Sequence, residues 1–120
     1  MALSNKVEHV AKEQVVITIT GSMTIGAPLK VLDARLQNLV TNGVKAIILD
    51  LTEVDFVDSA GLGLLMLARR LLLDKEGAML RLCGAQARVK ALLRMTRTDG
   101  ILHLDEDLES SLKAIRQTEA

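Results

Sequence analysis

Ser59 is the side chain best placed to do chemistry. It lies in Asp58-Ser59-Ala60-Gly61-Leu62-Gly63, a hydroxyl between a carboxylate and two glycines, directly before a run of leucines. The run reads as a helix, so Ser59 is expected at its start as the N-cap. There its hydroxyl would accept a hydrogen bond from a backbone N–H two or three residues on. Glycines in the first turn of a helix cost roughly 1 kcal/mol each relative to alanine. Two of them imply either small residues packed against a sheet or a bare surface that lets another backbone come close.

The motifs of serine and phosphate chemistry do not fit this segment. A hydrolase elbow, G-x-S-x-G, needs glycine two before the serine, where Val57 stands. A dinucleotide fingerprint needs a third glycine where Met66 stands, and a P-loop needs Lys and Ser or Thr where Leu64 and Leu65 stand. His9 and His103 are the only histidines and fall in no triad or metal spacing. With a single cysteine they do not make up a structural zinc site. The sequence thus gives no catalytic residue, metal ligand or cofactor motif, and the chain reads as a binding protein rather than an enzyme.

The elements that must position Ser59 follow from periodicity. Val15 to Thr20 is β-branched, closed by Gly21, and reads as a strand; a weaker strand over Lys6 to Val10 precedes it across a turn at Lys12-Glu13-Gln14. Pro28 suits the first turn of a helix whose Leu29, Leu32, Leu36, Leu39 and Val40 form one stripe, ended by Asn42-Gly43. Ala46 to Leu49 is apolar without alternation, as in a strand covered on both faces. Asp50 to Asp58 reads as a connecting segment, and the Ser59 helix then runs to Lys75-Glu76-Gly77. Met79 to Cys83 is a strand, Ala85 to Met95 a helix, Ile101 to Leu104 a strand and Leu108 to Ile115 a helix. Strands alternating with helices imply parallel pairing through crossovers. The expectation is one α/β domain over residues 1–120. Its sheet is mixed and mostly parallel, of about five strands flanked by about four helices, with the first strand added antiparallel at the edge. In such sheets function collects where strands end and helices begin, which is where Ser59 lies.

Composition narrows the partners. The 120 residues hold 15 basic and 15 acidic side chains, so no overall field favours nucleic acid or an anionic membrane. Phe56 is the only aromatic, which removes the stacking platforms of single-strand binders. The longest apolar stretch, Val57 to Leu73, is interrupted by Asp58, Ser59, Arg69 and Arg70 and falls short of a membrane span. The polar N-terminus has no signal-peptide core, and the lone Cys83 suits a reducing compartment. The expected location is the cytoplasm.

Two further features have alternative readings. Leu62, Leu65, Met66 and Leu73 follow one helix face and Leu64, Leu67 and Leu71 a neighbouring one, more than a single stripe requires. Either the sheet and an adjacent helix cover them, or some stay exposed as a partner or homodimer surface rimmed by Arg69 and Arg70. The basic cluster Arg88, Lys90, Arg94 and Arg97 is either a solvated helix face or a surface for an acidic partner, offset by Asp105-Glu106-Asp107.

Phe56-Val57-Asp58-Ser59-Ala60-Gly61-Leu62-Gly63 resembles the signature of the STAS domain in its anti-sigma factor antagonist form. The resemblance extends through Ile19-Thr20-Gly21, Ile47-Ile48-Leu49-Asp50-Leu51 and Ile101-Leu102-His103-Leu104 with the helix that follows. It implies partner switching. The serine after the signature aspartate, here Ser59 after Asp58, is phosphorylated by an anti-sigma factor that is also a serine kinase. The unphosphorylated antagonist binds that kinase, and a PP2C-type phosphatase resets the switch. Contacts with the partner are implied for Asp58, Ala60, Gly61, Leu62 and Gly63, and for Thr24. Thr24 stands near where family members often carry an acidic residue; it can hydrogen-bond but brings no charge. The resemblance also admits a constitutive cytoplasmic adaptor subunit of a transporter or other signalling complex, with Ser59 only a helix cap.

Overall fold

The structure is a computed structural model and describes residues 2–117. In chain order it comprises β1 (Ser4–Ala11), β2 (Gln14–Met23), α1 (Ala27–Thr41), β3 (Ala46–Val57) and α2 (Ser59–Leu73). Then come β4 (Met79–Cys83), α3 (Ala87–Met95), a 3-10 turn at Thr98–Gly100, β5 (Leu104–Asp105) and α4 (Leu108–Gln117). One sheet holds the strands in the order β1-β2-β3-β4-β5. β1 pairs antiparallel with β2, and every later pairing is parallel. The mixed sheet with an antiparallel first edge is thus the one expected, and each parallel step returns through helical crossover chain.

The unbroken apolar runs of β2 and β3 are buried on both faces. Val15, Ile17 and Ile19 of β2, Ile47, Leu49 and Leu51 of β3, and Leu80 and Leu82 of β4 join Leu32, Leu36, Leu64, Leu65 and Leu72 of α1 and α2 in the larger core. The alternate residues Val16, Ile48 and Cys83 point the other way, into a smaller core closed by Ile115, Leu108 and Leu112 of α4. Period-two alternation therefore feeds both layers from the same strands. Each fully buried Leu, Ile or Val contributes about 1.5–3 kcal/mol relative to an exposed one. α4 is also tied by a polar link: Asp105 accepts from Arg81 at 2.7 and 2.9 Å and from the buried Ser111 hydroxyl at 2.6 Å.

Several element boundaries differ from the sequence reading, β2 among them: it is not closed by Gly21 but runs on to Met23. Asp50 to Asp58 is not a connecting segment, because β3 continues to Val57. A register shift against β2, between Thr18 and Thr20, leaves Thr52 and Glu53 exposed in succession, which breaks the alternation that marks a strand. Val54 and Val57 nonetheless stay buried. The last strand is not Ile101 to Leu104 but the two residues Leu104–Asp105. The chain before it is coiled instead, with Leu102 N–H donating to the Thr98 carbonyl at 2.9 Å and the Thr98 hydroxyl to the Leu93 carbonyl at 3.3 Å. α3 begins at Ala87 rather than Ala85, since Ala85 is buried in the turn that leaves β4. Gly84 makes that turn at φ +70°, where a Cβ would run into the Thr52 hydroxyl.

Candidate functional site at the start of α2

The site is assembled where β2 and β3 end together. The Ser22 hydroxyl donates to Asp55 at 2.7 Å, linking the ends of the two strands. That hydroxyl is the leading reason the Asp55 carboxyl lies below its ordinary range. One residue beyond β3, Asp58 N–H donates to the Met23 carbonyl at 3.1 Å. The Asp58 carboxylate then reaches in two directions. One oxygen accepts from Gly61 N–H at 2.8 Å, the other from Ile25 N–H at 3.0 Å. These bonds, Gly61 first and Ile25 second, hold the Asp58 carboxyl below the usual range, so it is anionic at neutral pH.

Ser59 is therefore not the helix cap. Asp58, with extended backbone, caps α2, and Ser59 is the first residue inside the helix. The physical reason is charge: a carboxylate accepts more strongly than a hydroxyl and complements the positive end of the helix dipole. The Ser59 side chain is exposed and stands outside the cap.

The two glycines of the segment have opposite surroundings. Gly61 is buried, and a Cβ there would strike the Met23 carbonyl oxygen and lie 2.9 Å from Met23 Cβ. It lets α2 approach the end of β2. Gly63 is exposed, with nothing within 4 Å of where a Cβ would stand. The two possibilities left open by the sequence are thus divided between them: close packing at Gly61, bare surface at Gly63.

Beside Gly63 runs a groove of about 250 Å³ between α1 and α2, lined by Ala60, Gly63 and Leu67 on one side and Ile25, Leu29 and Lys30 on the other. Ile25 is 80% exposed beside it. Of the residues singled out in the sequence, Asp58, Ser59, Ala60 and Gly63 gather at this corner. Leu62 is half-buried against the core. Thr24 lies in the β2–α1 loop that Asp58 holds through Ile25, its N–H donating to the Ser22 carbonyl at 3.1 Å. Ile25 and the Ser22–Asp55 link escaped the sequence reading; an apolar residue set before Gly26 and Pro28, outside any periodic pattern, was the available signal for Ile25.

The remaining candidates lie elsewhere. Leu64, Leu65 and Leu72 are buried, and Leu73 is exposed at the far end of α2. Burial pushes the Cys83 thiol up to about 12. His9 and His103 are exposed, and among the described residues no group of three or more His, Cys, Asp or Glu could hold a metal ion. No helix among the described residues is long and apolar enough to cross a membrane.

Known structures share this architecture. The anti-sigma factor antagonist SpoIIAA in its unphosphorylated form superposes with a TM-score of 0.82 at 21% identity, over 95% of this chain and 97% of that one. An anti-sigma factor antagonist from Mycobacterium paratuberculosis gives 0.84 at 22% identity, over 96% and 95%. The Bacillus cell fate determinant SpoIIAA in its phosphorylated form gives 0.73 at 19% identity, over 92% and 99%. At the level of sequence, the family model of the STAS domain matches residues 5–111, and with Asp58, Ser59 and the two glycines set at the start of α2 the chain belongs to the STAS domain family.

Proposed function

We propose that this chain is an anti-sigma factor antagonist, a regulatory binding protein switched by phosphorylation of Ser59. Unphosphorylated, it sequesters a kinase-type anti-sigma factor in the cytoplasm; phosphorylated, it releases that partner, and a PP2C-type phosphatase restores the binding form. The whole chain acts as one STAS module. The observation that carries this reading is the exposed Ser59 on the first turn of α2, beside an anionic Asp58 and next to the open groove at Gly63. The fold shared with both the unphosphorylated and the phosphorylated forms of SpoIIAA supports it.

The physics of the switch follows from the geometry. A phosphate adds about −1.5 to −2 charges. The N-terminus of α2 tolerates it, since the positive end of the helix dipole favours an anion there. The fold survives because the hydroxyl is outside the cap. A partner docked over Ala60 and Gly63 would have to desolvate that phosphate beside the Asp58 carboxylate, and burying uncompensated charge is strongly unfavourable. Phosphorylation therefore expels the partner without unfolding the antagonist.

The test is a pull-down from native lysate comparing Ser59→Ala with Ser59→Asp as bait, followed by enzymatically phosphorylated protein. An anti-sigma kinase held by the Ala bait and lost from both charged forms supports the reading. Equal capture by all three contradicts it and leaves a constitutive adaptor.

A further inference from the structure

The two edges of the sheet are unlike. β5 is only 2 residues long and offers little to a further strand, whereas β1 runs for 8 residues with no strand beyond it among the described residues. Which backbone groups β1 turns outward follows from the neighbouring pairings. Ala46 N–H donates to the Glu13 carbonyl, so odd-numbered residues at the start of β2 bond towards β3 and even-numbered ones towards β1. The register sets Lys6 against Thr18 and Glu8 against Val16, so Lys6 and Glu8 are the residues bonded to β2. Asn5, Val7 and His9 therefore turn their backbone N–H and C=O groups to the free edge. The Lys6 and Glu8 side chains stand exposed on one face, on either side of Val7. Among the described residues the salt bridge is Arg81–Asp105, so neither charge has an ionic partner within the chain.

We propose that β1 is a self-association edge, pairing antiparallel with β1 of a second copy about a two-fold axis through Val7. In that register Val7 faces Val7 of the second copy and exchanges backbone hydrogen bonds with it, and Asn5 faces His9 in the same way. Lys6 then faces Glu8, and Glu8 faces Lys6, at the intervening pairs where side chains come closest. A two-fold contact demands this kind of self-complementarity. Charged edge residues commonly keep strands apart, and here they do so only in the neighbouring registers. An axis at Lys6 sets lysine on lysine, and one at Glu8 sets glutamate on glutamate. The charges thus select one register and one partner, a second copy of this chain. The product is a continuous sheet through both copies, which run in opposite directions. Their Ser59 corners, where β2 and β3 end, come to opposite ends of it.

The test is sedimentation equilibrium of the full chain at rising concentration, under reducing conditions and at low salt, where exposed charges are least screened. Four proteins are compared: the native chain, Lys6→Glu, Glu8→Lys, and the double variant with both substitutions. The native chain should dimerise, and each single reversal should weaken the dimer roughly tenfold, since like charges then face each other on both sides of the axis. The double variant restores opposite charges and should dimerise as the native chain does. An equimolar mixture of the two single variants should dimerise as well, because one copy then presents only carboxylates and the other only ammonium groups. Both side chains are exposed, so circular dichroism should show an unchanged fold, and recovery in the mixture verifies it a second way. The proposal is overturned if the native chain stays monomeric, or if the single reversals leave its dimer unchanged. Failure of either the double variant or the mixture to recover the dimer overturns it equally.

Discussion

Gly61 sits against Met23 so closely that any side chain at position 61 would collide with the Met23 carbonyl oxygen. The same carbonyl accepts the Asp58 N–H, so one backbone oxygen receives the chain before α2 and limits how near α2 itself can come. Gly61→Ala should therefore destabilise the domain by about 1–3 kcal/mol through forced displacement of α2. Gly63→Ala meets open space within a helix and should stabilise by about 0.5–1 kcal/mol. Urea unfolding of the two variants measures both. Opposite signs are the expected result, and equal destabilisation would show that Gly63 is also packed.

The Cys83 thiol is buried beneath α4, and its ionisation is pushed up to about 12 by burial and by the nearby Asp50. In the native protein it should resist a disulfide reagent such as DTNB at neutral to mildly alkaline pH, because the thiolate is the nucleophile. Unfolding should release one reactive thiol per chain. Rapid native labelling would mean that α4 opens readily.

Acid should weaken the fold through its tied carboxylates. The Arg81 guanidinium first, and the Ser111 hydroxyl with it, hold Asp105 below its ordinary range. A depressed folded-state pKa contributes stability that is present above the unfolded value and lost as pH falls through the folded value. Tm should thus be flat near neutrality and fall once pH drops below about 4. Asp105→Ala should flatten part of that fall while lowering Tm at neutral pH. An unchanged acid limb would remove Asp105 from the account.

Ile115 is wholly buried and is the central apolar side chain of α4 in the smaller core, with Val16, Ile48 and Cys83. Ile115→Ala should cost about 2–5 kcal/mol by loss of burial and creation of a cavity. Thermal unfolding and DTNB reactivity of Cys83 should change together. A loss of stability with no gain in thiol reactivity would show that α4 does not control access to Cys83.

What the sequence disclosed depended on whether a signal was local. The strand Val15 to Thr20 and the stripe Leu29, Leu32, Leu36 announced themselves by period and are present, although β2 runs on through Gly21 to Met23. The second half of β3 was hidden because a register shift leaves Thr52 and Glu53 exposed together, which imitates a loop. β5 was misplaced because Ile101 and Leu102 are apolar for different reasons: Leu102 is buried, whereas Ile101 is 45% exposed on the coil beside the sheet. At the site, the Asp-Ser-x-Gly order was legible, but the choice of cap was not. Both Asp58 and Ser59 are good caps by residue type; the carboxylate is the stronger acceptor, and Ile25, thirty-three residues away, helps hold it in place by donating its N–H to the second oxygen of Asp58. Long-range partners of that kind leave no periodic trace.

The most direct test of the proposed switch is titration calorimetry of the proposed partner, an anti-sigma kinase, against this protein before and after enzymatic phosphorylation of Ser59. Circular dichroism of both forms is recorded alongside. The account predicts tight binding by the unphosphorylated form, a loss of a hundredfold or more on phosphorylation, on the order of 3 kcal/mol, and unchanged secondary structure. Equal affinity for the two forms would contradict it.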